Sequence, residues 1–318
     1  MPQVKRRMGA LEWILLIVLS IVWGGSFFFS TVALAELGPL TVVMTRVILA
    51  ALVLNLIVRI TGQRLPRDWR TWGLFLVLGT FNNVVPFTLI FWAETIIPSG
   101  LASVLNATSP LFAAILAHLL TRDERLTANR LRGVLVGIVA VGVIVGPSAL
   151  QAVGGQVLPQ VAVLVASLSY AVAGIFAKRF RELPSLVVAT CQVTCSSLIM
   201  APLALLVDRP WLGSMPGTRT LGALLILGVI CTAVGYIIYF RLLSTTGATN
   251  AILVTLMVPV SAVLLGALFL HEPVLLRQVL GMLLLAIGLL TIDGRPGAWL
   301  REKLGRAGRG TPSPAESE

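Results

Sequence analysis

The sequence predicts an all-α membrane protein of ten transmembrane helices, arranged as two inverted five-helix repeats with both termini in the cytoplasm. Three observations carry this. Of 318 residues, 57% are hydrophobic and only 12% charged, whereas a soluble protein is about 45–50% apolar and about 25% charged. Mean hydropathy is +0.95. The apolar residues fall into ten continuous runs, each near the roughly 20 residues a helix needs to cross a bilayer. Finally, 20 of the 24 Lys and Arg lie in alternate loops that share one side, and three lie on the other. Such a bias marks cytoplasmic loops.

The runs are residues 11–32, 40–60, 70–93, 99–120, 130–147, 158–178, 184–207, 219–241, 248–270 and 274–293. They are continuous rather than alternating, which argues against a β-barrel. The first follows Lys5, Arg6 and Arg7 and ends near Ala33-Leu34-Ala35, as a signal peptide would. Its length and the nine later runs mark it as a span instead. Short loops force successive helices to pack antiparallel. Arg59, Arg64, Arg67 and Arg70 after span two, and Lys178, Arg179 and Arg181 after span six, are typical of the cytoplasmic set. Arg209, Arg219 and Arg277 form the external set, and Arg46 belongs to neither.

This divides the chain into a first repeat (1–147), an external linker (148–157), a second repeat (158–293) and a cytoplasmic tail (294–318), basic and then disordered. Three cysteines exclude a disulfide scaffold. A pI near 10.9 suggests nucleic acid in a soluble protein. Here the positive charge sets orientation and meets anionic headgroups. The partners expected are the lipid bilayer and a small-molecule solute, with no nucleic acid, in a monomer or homodimer at the cytoplasmic (inner) membrane.

Residues 87–120 overlay 236–269 at an offset of 149. Phe91 meets Phe240, Ala102 meets Ala251 and Pro110 meets Pro259. One residue dropped in the loop then matches Glu124 with Glu272 and Gly133 with Gly281. Five spans per half is odd, so the second half enters the membrane the other way up, as in many transporters.

These residues carry a resemblance. Trp23-Gly24-Gly25-Ser26-Phe27, Pro39 followed by Arg46, Pro110 followed by Asp123-Glu124-Arg125-Leu126 and Gly133, and their return as Pro259, Glu272 and Gly281 resemble the ten-helix, EamA-type members of the drug/metabolite transporter superfamily. The resemblance covers about residues 10–293. It implies a ten-helix fold and transport, often export, of amino acids, related metabolites or drugs. The second half departs from the first, with Tyr170 in the place of Trp23 and no Arg matching Arg46.

Enzyme motifs are missing: the chain has no HExxH, P-loop or GxSxG. Cys191 and Cys195 stand at i, i+4 with no His or acid nearby, as inert buried thiols would. No cofactor and no metal is implied. The alternatives to a transporter are a receptor or a membrane enzyme, but loops of about a dozen residues leave no room for a signalling domain. A channel would need a charge ring or carbonyl filter, and none is visible.

Polar residues inside spans are costly and therefore functional candidates. Arg46 has two roles open to it. It either pairs with Glu36 or Glu94 as structure, which is the default, or its bidentate fork meets a substrate carboxylate. Glu94 is the candidate proton carrier, or else an interfacial acid. Asn83 and Asn106 with Tyr236 and Tyr239, joined by Trp23 and Tyr170, are the candidate substrate pocket. Interhelical hydrogen bonding explains the same residues as packing. Pro86, Pro110 and Pro259 are candidate hinges, because each proline frees a carbonyl four residues earlier. Glu124 and Glu272 are expected to cap helices or hold loops. A GxxxG pair, Gly133 and Gly137, is expected to pack within the monomer.

Overall fold

The computed structural model describes residues 9–120, 128–146, 157–247 and 253–293. Glu124, most of the linker 148–157 and the tail 294–318 lie outside the described residues. Within the described residues the chain is all-helical, with no strand. Among the described residues seven helices are long and apolar enough to span a bilayer: α1 (Ala10–Leu34), α2 (Pro39–Ile60), α3 (Trp69–Glu94), α4 (Ser99–Leu120), α6 (Val157–Phe180), α7 (Ser185–Val207) and α8 (Thr218–Thr246). Three shorter apolar helices fall on the fifth, ninth and tenth runs: α5 (Ala128–Val145), α9 (Leu253–Phe269) and α10 (Leu276–Asp293).

Local chemistry sets the helix ends. Gly9 donates to Glu12 Oε2 at 2.8 Å, closing the start of α1. Pro39 opens α2 at a position whose N–H has no intrahelical partner anyway. Asp68 caps α3 by accepting from the Thr71 N–H at 2.8 Å. The bonds from Thr71 hold its carboxyl below the ordinary value of 3.8. Gly146 and Gly247, at φ 71 and 79, end α5 and α8 in a backbone conformation that side chains disfavour.

Two of the long helices are wound locally as π-helix. In α3 this is Thr80–Val84, immediately before Pro86. The proline cannot donate to the Asn82 carbonyl and its ring pushes that carbonyl away, so the ladder takes up a wider turn. In α8 it is Ile226–Val234, where the Thr232 hydroxyl donates to Leu227 O at 2.8 Å. A third helix, α4, breaks at Ala107–Thr108, ahead of Pro110. The carbonyl freed there, Asn106 O, accepts from Ser109 Oγ at 2.7 Å and Ser167 Oγ at 3.3 Å. Pro259 behaves differently, because α9 runs through it as continuous helix.

The principal core joins α1–α4 with α6–α9. α1 and α9 run parallel and touch at Gly24, whose hydrogen faces the Val258 carbonyl and Ser261, and further along at Phe28 and Phe269, 5.8 Å apart. Ser261 Oγ donates to Ser20 O at 2.7 Å. α5 packs on α10, with Gly133 and Gly137 against Gly288, so the GxxxG pair is used within the chain. The exterior carries Leu52, Leu56, Ile138, Leu264 and Leu268 in the open, and Trp13, Trp69 and Trp211 near helix ends. This is the surface of a protein solvated by lipid, with indoles at headgroup depth.

Candidate functional site

Most of the expected site residues lie where the π segment of α8 and the part of α3 beyond its own π segment pack on α2. Arg46 on α2 is 6% exposed, and its Nε donates to Thr232 Oγ1 at 2.8 Å. Gly228 lets α8 approach the α2 backbone here: a Cβ on it would stand 3.1 Å from Arg46 O. The Thr232 oxygen therefore serves two groups, accepting from Arg46 and donating to Leu227 O in the widened turn. The guanidinium lies over the Phe87 ring at 3.9 Å, with Phe91 at 5.5 Å, a cation–π seat inside the bundle. Tyr170, Tyr236, Cys231 and Glu94 lie within electrostatic reach. Among the described residues only Nε is hydrogen-bonded, which leaves the two terminal nitrogens of the fork available.

Neither carboxylate expected to neutralise Arg46 is bonded to it. Glu36 accepts from Gly217 N, and Glu94 accepts from Ser30 Oγ on α1. Glu94 is 7% exposed rather than interfacial, and its Oε1 is enclosed with no hydrogen-bond partner. Arg46 is thus held by a hydroxyl and two aromatic faces, a neutral seat for a buried cation.

Below it lies a polar network. Tyr236 donates to Asn83 Oδ1 at 2.7 Å, and Asn83 Nδ2 donates to Ser196 Oγ at 2.9 Å. Asn82 Nδ2 donates to Gln192 Oε1 at 3.3 Å and to Tyr236 at 3.4 Å. Trp23 and Tyr239 face each other at 5.3 Å, and Phe240 packs on Tyr236 and Tyr239 at 6.1 and 5.5 Å. Asn106 stands apart from this network; it accepts from Ser167 on α6, one turn before Tyr170. The candidate hinges divide likewise, with Pro86 and Pro110 at irregular turns and Pro259 not.

Gln192, Ser196, Ser30, Phe87 and Phe91 were not expected in the site. Gln192 and Ser196 stand at i, i+4 in an apolar run, the same signal that marks Asn83. The two phenylalanines give no such signal, because a ring under a cation looks like core in the sequence. Elsewhere, Glu272 does cap a helix, accepting from the N–H groups of Ser99 and Gly100. Cys191, Cys195 and Cys231 are free and buried. Among the described residues no group of His, Cys, Asp or Glu is placed to hold a metal.

Comparison with known proteins follows the same outline. The chain is 24% identical over 279 residues to "Uncharacterized transporter YoaV" of Bacillus subtilis, covering 86% of this chain and 94% of that protein. It is 27% identical over 290 residues to the "Probable amino-acid metabolite efflux pump" of Escherichia coli, covering 87% and 93%. It is 27% identical over 275 residues to "Protein PecM" of Dickeya dadantii, covering 86% and 89%. A solved structure titled "Crystal structure of protein" superposes with a TM-score of 0.65 at 16% identity, covering 91% of this chain and 98% of that one, a likeness of fold. The EamA-like transporter family matches residues 11–146 and 158–292. The chain is therefore a multi-pass membrane protein of the EamA-like transporter family, a transporter and not an enzyme.

Proposed function

We propose that this protein is a secondary transporter that exports a small organic metabolite across the cytoplasmic membrane by alternating access. The observation that carries the proposal is Arg46, a buried cation whose terminal nitrogens have no hydrogen-bond partner among the described residues, with half-buried Tyr236 within electrostatic reach and half-buried Tyr239 and Trp23 next to it through Phe240. A planar guanidinium in that setting suits a carboxylate, with the aromatic groups taking the solute's apolar part. The relative named as an amino-acid metabolite efflux pump supports both the class of solute and the direction.

Ten spans in two inverted repeats, both termini cytoplasmic, is the architecture that goes with this. The short helices α5, α9 and α10, of 18, 17 and 18 residues, fall within the range of about 17–25 residues for a crossing. The family matches the chain in two stretches of similar length, and the π segments of α3 and α8 overlap at the repeat offset of 149. In this orientation the α1–α2, α3–α4, α7–α8 and α9–α10 connections are external. Glu94 is the proton-coupling residue: its Oε1 is enclosed and unpartnered, so a proton there has a place prepared. The chain works as a monomer or homodimer.

The test is counterflow of a solute panel in proteoliposomes, with Arg46→Ala and Tyr239→Ala beside the native protein. Arg46→Ala should abolish counterflow of a carboxylate solute. Unchanged counterflow would reduce Arg46 to a structural residue. Glu94→Gln should remove the pH dependence of uptake, and a retained pH dependence excludes that role.

A further inference from the structure

Three carboxylates tie one face of the bundle shut, and each tie runs between α1–α4 and α7–α10. Glu36, in the α1–α2 turn, accepts from the N–H of Gly217 at 2.7 Å, at the start of α8. Asp208, just past α7, accepts from the N–H and hydroxyl of Thr41 at 2.7 and 3.0 Å, in the first turn of α2. Glu272, past α9, accepts from the Ser99 N–H, the Ser99 hydroxyl and the Gly100 N–H at 2.8, 3.0 and 3.1 Å, at the start of α4.

All three lie on the same face. α1 and α9 run parallel, so Glu36 and Glu272 leave their helices on one side, and Asp208 meets the helix that begins right after Glu36. The chemistry is also the same in each. A carboxylate satisfies N–H groups that a helix start leaves open and sits at the positive end of its dipole. Glycine makes two of the seats possible. A Cβ on Gly38 would stand 2.5 Å from the Asp208 carboxyl carbon, and one on Gly266 would stand 3.1 Å from that of Glu272.

Clefts lie toward both faces. One of about 250 Å³ lies toward the opposite face between Ile57 of α2, Leu186 and Ala189 of α7, and Ile237 and Phe240 of α8; another of about 200 Å³ lies near the carboxylates, between Phe28, Phe29 and Val32 of α1 and the start of α8. Phe240, which lines the first of these, packs on Tyr236 and Tyr239 of the candidate site.

We propose that Glu36, Asp208 and Glu272 are the gate of the face they tie, the external one in the orientation proposed above. The assignment rests on the alternating-access proposal. Opening this face requires all three carboxylates to leave the helix starts they cap, and each tie is a set of hydrogen bonds that can break and re-form.

The experiment reads conformation and transport separately. Cys191, Cys195 and Cys231 are first replaced by Ala. Ala33→Cys or Ala102→Cys, both fully buried, then reports on opening through its reaction with a membrane-impermeant maleimide in nanodiscs. Adding Glu36→Gln, Asp208→Asn and Glu272→Gln should speed labelling at least tenfold. Unchanged labelling in a correctly folded triple variant overturns the gate. A second arm covers a triple variant that fails to fold: Thr41→Cys with Asp208→Cys, oxidised to a disulfide, should stop counterflow, and dithiothreitol should restore it. Counterflow undiminished by a complete cross-link also overturns the gate. Faster labelling in a protein that moves no solute on the panel would instead count against the transport proposal and leave the gate standing.

Discussion

Thr232→Val isolates the bond that seats Arg46. Valine has nearly the shape of threonine, so the substitution leaves no cavity and removes one oxygen. That oxygen accepts from Arg46 Nε at 2.8 Å and donates to Leu227 O at 2.8 Å, in a residue 2% exposed. Neutral interhelical hydrogen bonds in membranes average only about 0.6 kcal/mol. A bond from a charged donor is worth about 1.5–3 kcal/mol, so the Arg46 bond dominates the loss. At about 1.4 kcal/mol per factor of ten, the transporter should lose roughly ten- to a hundredfold in affinity for a carboxylate solute if Arg46 must be held in place to bind it. The assay is KM in proteoliposome counterflow, with the thermal midpoint of the purified protein measured alongside. Thr232→Ser keeps the oxygen and should restore both. A Thr232→Val protein with native KM and native midpoint would refute the idea that this hydroxyl seats the cation.

Three further outcomes are expected. Gly24→Val drives a side chain into the Val258 carbonyl and Ser261; overpacking of about 1–3 kcal/mol should lower the thermal midpoint, while Gly142→Val, with nothing within 4 Å of its added Cβ, should not. Asn83→Leu removes the bonds to Tyr236 and Ser196 and should destabilise by about 1 kcal/mol, measured by the same melt. Asp68 lies in the loop before α3, and its carboxyl titrates below the ordinary value because Thr71 bonds the charged form. Its support for the first turn of α3 is complete above that ordinary value and fades as pH falls through the lower folded one. Hydrogen exchange at the Thr71 amide should therefore quicken only in that acid window, and Asp68→Asn should remove the step.

Much of the fold was legible because a bilayer imposes a length on each helix. The runs at 40–60 and 184–207 match α2 (Pro39–Ile60) and α7 (Ser185–Val207) almost to the residue. The runs at 248–270 and 274–293 likewise hold α9 (Leu253–Phe269) and α10 (Leu276–Asp293). The site was half legible. Arg46, Asn83 and Tyr236 announce themselves as polar groups in apolar runs. Phe87 does not, because its value lies in the cation above it. The three gate carboxylates were hardest to read. Their partners are backbone N–H groups 167 to 181 residues away, and a backbone donor has no letter in the sequence. Glu272 was expected to cap or to hold a loop, and it caps a helix far along the chain; the pairings of Asp208 and Glu36 left no trace.

The π segment of α8 also fixes the register of everything beyond it. A π turn amounts to one residue more than an α-helix would use over the same length, and one residue is about 100° of rotation about the helix axis. Tyr236, Tyr239 and Phe240 follow that turn. Wound as a regular α-helix, the same residues would swing all three rings about a quarter-turn off Trp23 and Asn83, and deleting one of them, such as Val229, would bring the rings back with each side chain unchanged. The aromatic wall of the site is in this sense written by a residue count rather than by residue identity. A relative with the same aromatic letters after a regular α-helix would need one residue fewer before them to build the same pocket.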